Sequence, residues 1–238
     1  MRAVLVDDER LARAELRRLL REFSAVEIIG EATHVDEAVA EVDRLEPDLL
    51  FLDIEMPGGT GFDVLERLER VPLVIFTTAY DAHALKAFEV NALDYLLKPV
   101  ETHRLQVALD KAEARLALSR KRAEPPLGGF LERAFVRDGA LCLVVDFRDV
   151  LLFESEGNYT RLHLGAHQPL LARSLAYLEE RLDPRTFFRA NRKELVNLEK
   201  VLRFEPGPGS GLALELRDGR AVEMSRRQAQ RFRQRMSA

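Results

Sequence analysis

The sequence predicts a doubly wound α/β domain followed by a mostly β domain, and three observations carry that prediction. Over the first half, short runs of apolar, β-rich residues alternate with stretches of helical periodicity. The rhythm stops at EPPLGG, residues 124–129, where paired prolines and glycines end helices and make poor strands. Beyond it, short alternating runs are punctuated by Asp-Gly and Gly-Asn, the mark of antiparallel hairpins. A chain of 238 residues is long enough for two domains, each burying its own core.

The first five strands are expected at AVLV (3–6), VEIIG (26–30), DLLFL (48–52), PLVIF (72–76) and ALDYLL (92–97). Amphipathic helices are expected between them, including LARAELRRLLREF (11–23) and VDEAVAEVDRL (35–45), and a last one over 102–122. Strands this short and apolar, separated by helices, belong to a parallel sheet covered on both faces. Ligands of such sheets sit outside the carboxyl ends of the strands, at the point where strand order reverses. After a linker at 121–130, residues 131–238 are expected to form hairpins over 135–164, a helix over 171–182, a short helix around 191–198 and strands over 212–225. Asp218-Gly219 supplies the last hairpin turn.

Bulk properties narrow the function classes. The net charge of −4 divides unevenly: 17 Lys and Arg against 25 Asp and Glu through residue 124, then 19 against 15. An acidic first half and a basic second half suit a cation site and a polyanion partner respectively. No apolar run is long enough to span a membrane, and the acidic start MRAVLVDDER does not resemble a secretory signal. Cys142, the single cysteine, lies in an apolar alternating run and reads as a buried thiol in a reducing cytoplasm.

Asp7 and Asp8 follow the first strand, Asp53 the third, Thr78 the fourth and Lys98 the fifth. In a doubly wound sheet these strand ends converge. Carboxylates held close together raise one another's proton affinity unless a cation neutralises them, and Mg²⁺ suits oxygen ligands of this kind. A lysine and a hydroxyl opposite complete a binding site for a transferred phosphoryl group. Each piece taken alone has a plainer reading: Asp7-Asp8 as caps of the next helix, MPGG as an ordinary turn, Thr78 as a helix cap, Lys98-Pro99 as a turn. His34, His83 and His103 lack metal-ligand spacing and read as surface residues.

VDD, FLDIEMPGGTG, FTTA and DYLLKP together resemble the receiver domain of two-component response regulators, over about residues 1–120. The resemblance implies a flavodoxin-like fold with Asp53 as phosphoacceptor. It implies Mg²⁺ held by Asp7, Asp8, Asp53 and the backbone carbonyl of Glu55. Thr78 and Lys98 would bind phosphoryl oxygens, and Tyr95 would be an aromatic switch turning inward when Thr78 is drawn to the phosphate. Glu55 and Tyr80 flank the site. A sensor histidine kinase would be the donor. Catalysis would extend only to the chain's own phosphoryl transfer and dephosphorylation.

The second half resembles the LytTR family of DNA-binding domains in FESEGNYTRLHL, LARSLAYLEERL, FFRANRKELVNLEKV and LRDGRAVEMSRRQAQRF. That likeness implies promoter DNA as partner, with Asn191, Arg192, Lys193, Arg226 and Arg227 on the contact face and Asn197 in support. The family often carries His where Asn191 stands and Ser where Lys193 stands, so no base preference carries over. Arg226, Arg227, Arg231, Arg233 and Arg235 form a run without acidic residues that suits phosphate neutralisation, or equally a solvated basic helix. Arg reads guanine and Asn reads adenine bidentately, which makes Arg226 or Arg227 and Asn191 candidate base readers. EPGPGSG (205–211) reads as a DNA-approaching loop or a hairpin tip. A protein-docking output domain is the alternative to DNA. Activation is expected to favour a homodimer through residues 81–89, the fifth strand and the helix from Glu101.

Overall fold

The computed structural model describes residues 1–79, 92–120, 129–138, 141–165, 167–207 and 211–236. It divides into two compact units, residues 1–128 with 133–135 and 139–145, and residues 129–132 and 136–138 with 146–238. Tyr80, residues 81–89 of the expected dimer face, His83 and most of the expected linker lie outside the described residues.

In the first unit, β1 (Arg2–Val6), β2 (Glu27–Ala32), β3 (Leu49–Asp53), β6 (Leu73–Thr78) and β7 (Asp94–Leu97) form one parallel sheet in the order β2-β1-β3-β6-β7. Order reverses between β1 and β3, so the switch point lies between Asp7 and Asp53. The strands read as continuous apolar runs because both faces are covered. On one face Ala3, Leu5, Leu49, Phe51 and Ile75 pack with Leu16, Leu19 and Leu20 of α1 (Arg10–Leu20) and Leu105, Ala108 and Leu109 of α4 (Thr102–Arg120). On the other, Val4, Val6, Leu50, Leu52 and Phe76 pack with Ala38 and Val42 of α2 (Val35–Leu45) and Val64 and Leu65 of α3 (Gly61–Arg67). Alternation of side chains along each strand assigns these two sets.

Helix starts are chemically marked. Thr60 caps α3 by accepting from the Asp63 N–H, while the Asp63 carboxylate accepts from the Thr60 N–H at 2.7 Å. His34 caps α2 through its ring nitrogen, and His103 is exposed. The N-cap of α1 is Glu9, without a side-chain cap bond, and its first turn holds no acidic residue. Neither Asp7 nor Asp8 is the N-cap residue of this helix, although the Asp7 carboxylate accepts the Glu9 N–H at 2.9 Å. MPGG is a turn, as its plainer reading has it, but one that closes a small hairpin, β4 (Glu55–Met56) against β5 (Gly59–Thr60). Gly58 takes φ +84° there, which favours glycine.

The second half begins with the paired strands β8 (Arg133–Asp138) and β9 (Leu141–Asp146). Cys142 is buried and free. A five-stranded sheet follows in the order β12-β11-β10-β14-β13, from β10 (Leu152–Glu156), β11 (Tyr159–His163), β12 (Leu170–Leu171), β13 (Phe187–Arg189) and β14 (Glu194–Asn197). A third sheet joins β15 (Val201–Pro206), β16 (Leu212–Leu216) and β17 (Ala221–Met224), with Gly219 at φ +86° in its last turn. Helix α5 (Leu175–Arg181) lies within the segment expected to be helical.

The short helix expected around 191–198 is absent. Residues Glu194–Asn197 form β14, and a 3-10 turn follows at Leu198–Lys200. Leu195 and Val196 are buried in a strand paired on both sides, with β10 and β13. The Asn197 amide donates to the carbonyls of Arg148 at 3.2 Å and Val150 at 3.0 Å. Two neighbouring strands outweigh a local periodicity of a few residues.

Candidate functional site

The acidic site is built at the switch point. Asp53 is the last residue of β3 and is paired with Thr77 of β6, while the Asp7 N–H donates to Ala32 O at 3.1 Å. The Lys98 N–H donates to Thr78 O at 2.8 Å, which binds the end of β7 to the end of β6. These backbone pairings bring side chains distant in sequence to one edge. Lys98 Nζ lies 2.8 Å from Asp7 Oδ2 and 2.7 Å from Asp53 Oδ2. Asp7 and Asp53 are each only 6 % exposed, whereas Asp8 is open to solvent.

One oxygen each from Asp7, Asp8 and Asp53 fall within 4.8 Å of one another. Burial pushes the Asp53 carboxyl above its ordinary pKa, Lys98 pulls it back, and the neighbouring Asp7 charge pushes it further up. Burial also disfavours the Lys98 ammonium, but its bonds to Asp53 and Asp7 prevail and hold its pKa raised. The ammonium thus offsets part of the repulsion between the two buried carboxylates. The donor set, three carboxylates in one small volume, is of the kind a hard divalent cation takes.

Thr78 is fully buried at the end of β6. Tyr95, opposite Phe76 in the β6-β7 register, stacks on it with ring centres 5.5 Å apart and planes at 14°. Burial raises the pKa of its phenol. Glu55 is exposed in the small hairpin beside the site. The preceding carbonyl, that of Ile54, accepts the Gly61 N–H at 2.8 Å.

A second constellation occupies the other unit. Arg192 and Lys193 are exposed on the tight connection between β13 and β14. Arg226 and Arg227 are exposed in the first turn of α6 (Arg226–Met236), whose Ala229 and Phe232 are buried. The two basic segments are tied together. Asn191 Nδ2 donates to the Glu223 carbonyl at 3.0 Å, at the end of β17 that leads through Ser225 into α6. The same amide donates to the Glu194 carboxylate, and its oxygen accepts the Lys193 N–H at 2.9 Å. The Asn191 side chain, expected as a base reader, is engaged within the protein. Arg235 turns inward, donating to Phe187 O at 3.3 Å, with burial lowering its pKa.

Sequence reasoning missed two neighbours. Arg189, read only as part of FFRANRK, donates to the carbonyls of Asn191 at 2.7 Å and of Arg192. The Ser155 N–H donates to Lys193 O at 2.7 Å, which puts the β10-β11 hairpin, with Tyr159 half exposed, beside the basic loop.

Residues 3–110 match the response regulator receiver domain, and residues 141–237 match the LytTr DNA-binding domain. The sensory transduction protein LytT of Bacillus subtilis (strain 168) is 33% identical over 229 residues, covering 95% of each chain. The positive alginate biosynthesis regulatory protein of Pseudomonas aeruginosa is 36% identical over 237 residues, again covering 95% of each. The chain belongs to the LytTR-type response regulators.

The transcriptional regulatory protein BtsR of Escherichia coli (strain K12) is a further relative of this response regulator, 35% identical over 235 residues and 95% of each chain. This response regulator is thus a two-component transcription regulator, a receiver domain followed by a DNA-binding LytTR domain. The flavodoxin-like parallel sheet and the mostly stranded second half agree with that pair of domains. Among the described residues no helix is long and apolar enough to cross a membrane.

Proposed function

We propose that this response regulator accepts a phosphoryl group on Asp53 from the phosphohistidine of a sensor histidine kinase and then regulates transcription from promoter DNA in the cytoplasm. The observation that carries the proposal is the Lys98 ammonium bonded to both Asp7 and Asp53 at the switch point. An Asp53 oxygen attacks phosphorus, the P–N bond breaks, and its electron pair leaves with the imidazole, which takes up a proton. Lys98 neutralises a phosphoryl oxygen, and the Thr78 hydroxyl donates to another. Asp7, Asp8, Asp53 and the Glu55 backbone carbonyl would hold Mg²⁺, which when bound supplies the remaining neutralisation of carboxylates and phosphoryl oxygens. The same residues carry the chain's own dephosphorylation.

Phosphorylation moves the negative charge that Lys98 bonds from the Asp53 carboxylate onto the phosphoryl oxygens and gives Thr78 a new partner, which biases a two-state equilibrium that Tyr95 reports. The receiver domain takes residues 1–120 and the DNA-binding domain residues 131–238, with 121–130 as the linker. The phosphorylated form pairs as a homodimer, and light scattering with beryllium fluoride should show the mass doubling. At the output end, Arg192, Lys193, Arg226 and Arg227 neutralise backbone phosphates on DNA, and Asn191 lies at their junction.

The test is phosphorylation by acetyl phosphate in Mg²⁺, followed by mass. The native chain should gain one phosphoryl group, and none in Asp53→Asn or in EDTA. Uptake of a phosphoryl group by Asp53→Asn would overturn the assignment.

A further inference from the structure

Arg189 is the last residue of β13 and its guanidinium is used in three directions. Nε donates to Asn191 O at 2.7 Å, one Nη donates to Arg192 O, and the other donates to the Glu179 carboxylate of α5 at 3.1 Å. The side chain is only 20% exposed. A planar fork that spans two successive carbonyls fixes the orientation of both peptide units, and the carboxylate behind it holds the fork in place. The tight connection between β13 and β14 is also pinned from its other end by Ser155 N–H on Lys193 O at 2.7 Å and by Asn191 on its own Lys193 N–H at 2.9 Å. Its two exposed cations, Arg192 and Lys193, project from a backbone with few ways to move.

We propose that Arg189 is a positioning residue for DNA binding: it holds the loop 190–193 in the one shape that presents Arg192 and Lys193 to the phosphate backbone, without contacting DNA itself. The inference rests on the DNA face described under the proposed function. Its physical content is preorganisation, since a loop already ordered does not lose that freedom on binding. Lysine cannot replace arginine here, because one ammonium on a flexible stem does not bridge two carbonyls and a carboxylate in a plane.

The experiment uses the full chain activated with beryllium fluoride and a labelled duplex selected by the native protein from a random-sequence library. Affinity is measured against salt. Removing two phosphate contacts in Arg192→Ala with Lys193→Ala should weaken binding and reduce the slope of log K against log salt by about 2. Arg189→Lys and Arg189→Gln should each weaken binding about tenfold with the slope unchanged, because the contacts persist but the loop must be ordered first. Unchanged phosphorylation by acetyl phosphate and a retained cooperative melt show that both variants fold. Native affinity in Arg189→Lys, or a slope reduced by about 1 in Arg189→Gln, would make Arg189 itself a phosphate contact and overturn the proposal. Native affinity in both variants overturns it as well. No effect of the Arg192-Lys193 double variant would take down the DNA face, and this inference with it.

Discussion

The backbone of Gly61 passes so close to Asp53 that a methyl group on its Cα would collide with the Asp53 carbonyl oxygen and stand 2.9 Å from Leu52 Cγ. The start of α3 is therefore packed directly against the end of β3, and the close approach sets where the Asp53 side chain emerges. The Gly61 N–H bond to Ile54 O at 2.8 Å fastens the same junction.

Gly61→Ala should force the two segments apart. A destabilisation of about 1–3 kcal/mol is expected from overpacking of this kind, measured by urea denaturation. Phosphoryl uptake from acetyl phosphate should slow in the same variant, because Asp53 moves relative to Lys98. Native stability and native uptake together would show that the junction yields without consequence.

Asp53 makes stability depend on pH and on Mg²⁺. Its pKa is raised chiefly by burial, so the folded state holds the proton more tightly than the unfolded chain does. Stability from this group is present below the unfolded pKa and is lost as pH rises through the folded one. At neutral pH and without divalent ions, Asp53→Asn should melt higher than the native chain, and the gap should close as pH falls toward the ordinary aspartate range. Added Mg²⁺ should raise the native melting temperature by mass action and raise that of Asp53→Asn less. A lower melting temperature for Asp53→Asn at neutral pH would contradict this account.

Arg226 and Arg227 stand exposed on the first turn of a helix whose Ala229 and Phe232 are buried in the core. Their replacement by alanine should leave the fold intact and weaken DNA binding. The slope of log K against log salt should fall by about 2 if both neutralise phosphates. Gel retardation on a selected duplex at several salt concentrations reads this directly, and an unaltered slope would remove both residues from the contact face.

His163 gives the output half its own pH dependence. The ring is 5% exposed, bonds Glu154 at 3.0 Å and faces Arg220, with Arg161 nearby. Burial lowers its pKa, and the arginine charges push the same way while Glu154 opposes them. A base with a lowered folded pKa contributes stability above its unfolded pKa that is lost as pH falls through the folded value. Stability of this half should drop as pH falls below about 6.5, and His163→Gln should flatten that slope. Calorimetry across this range is the check, with an equal slope in both proteins as the contrary result.

Much of the receiver was legible because its evidence is local. Apolar runs of four to six residues located all five parallel strands, and helical periodicity located α2 at Val35–Leu45 without error. The acidic and basic site residues followed, since they stand at strand ends in a topology whose strand order obeys general rules. Segment 191–198 was misread because its Leu195 and Leu198 fit a helical period equally well, and nothing nearby announces that β10 and β13 will flank it.

The two domain types, the residues at the carboxyl ends of the strands and the basic character of the second half are all legible along the chain through patterns read over a few residues. It takes the assembled fold to settle that Lys98 bonds Asp7 and Asp53 together, that Asn191 engages its amide within the protein, and that Arg189 grips the loop displaying Arg192 and Lys193. Hydrogen bonds between residues as far apart as Asp53 and Lys98 depend on the register of separate strands, and register is settled by packing of the whole sheet.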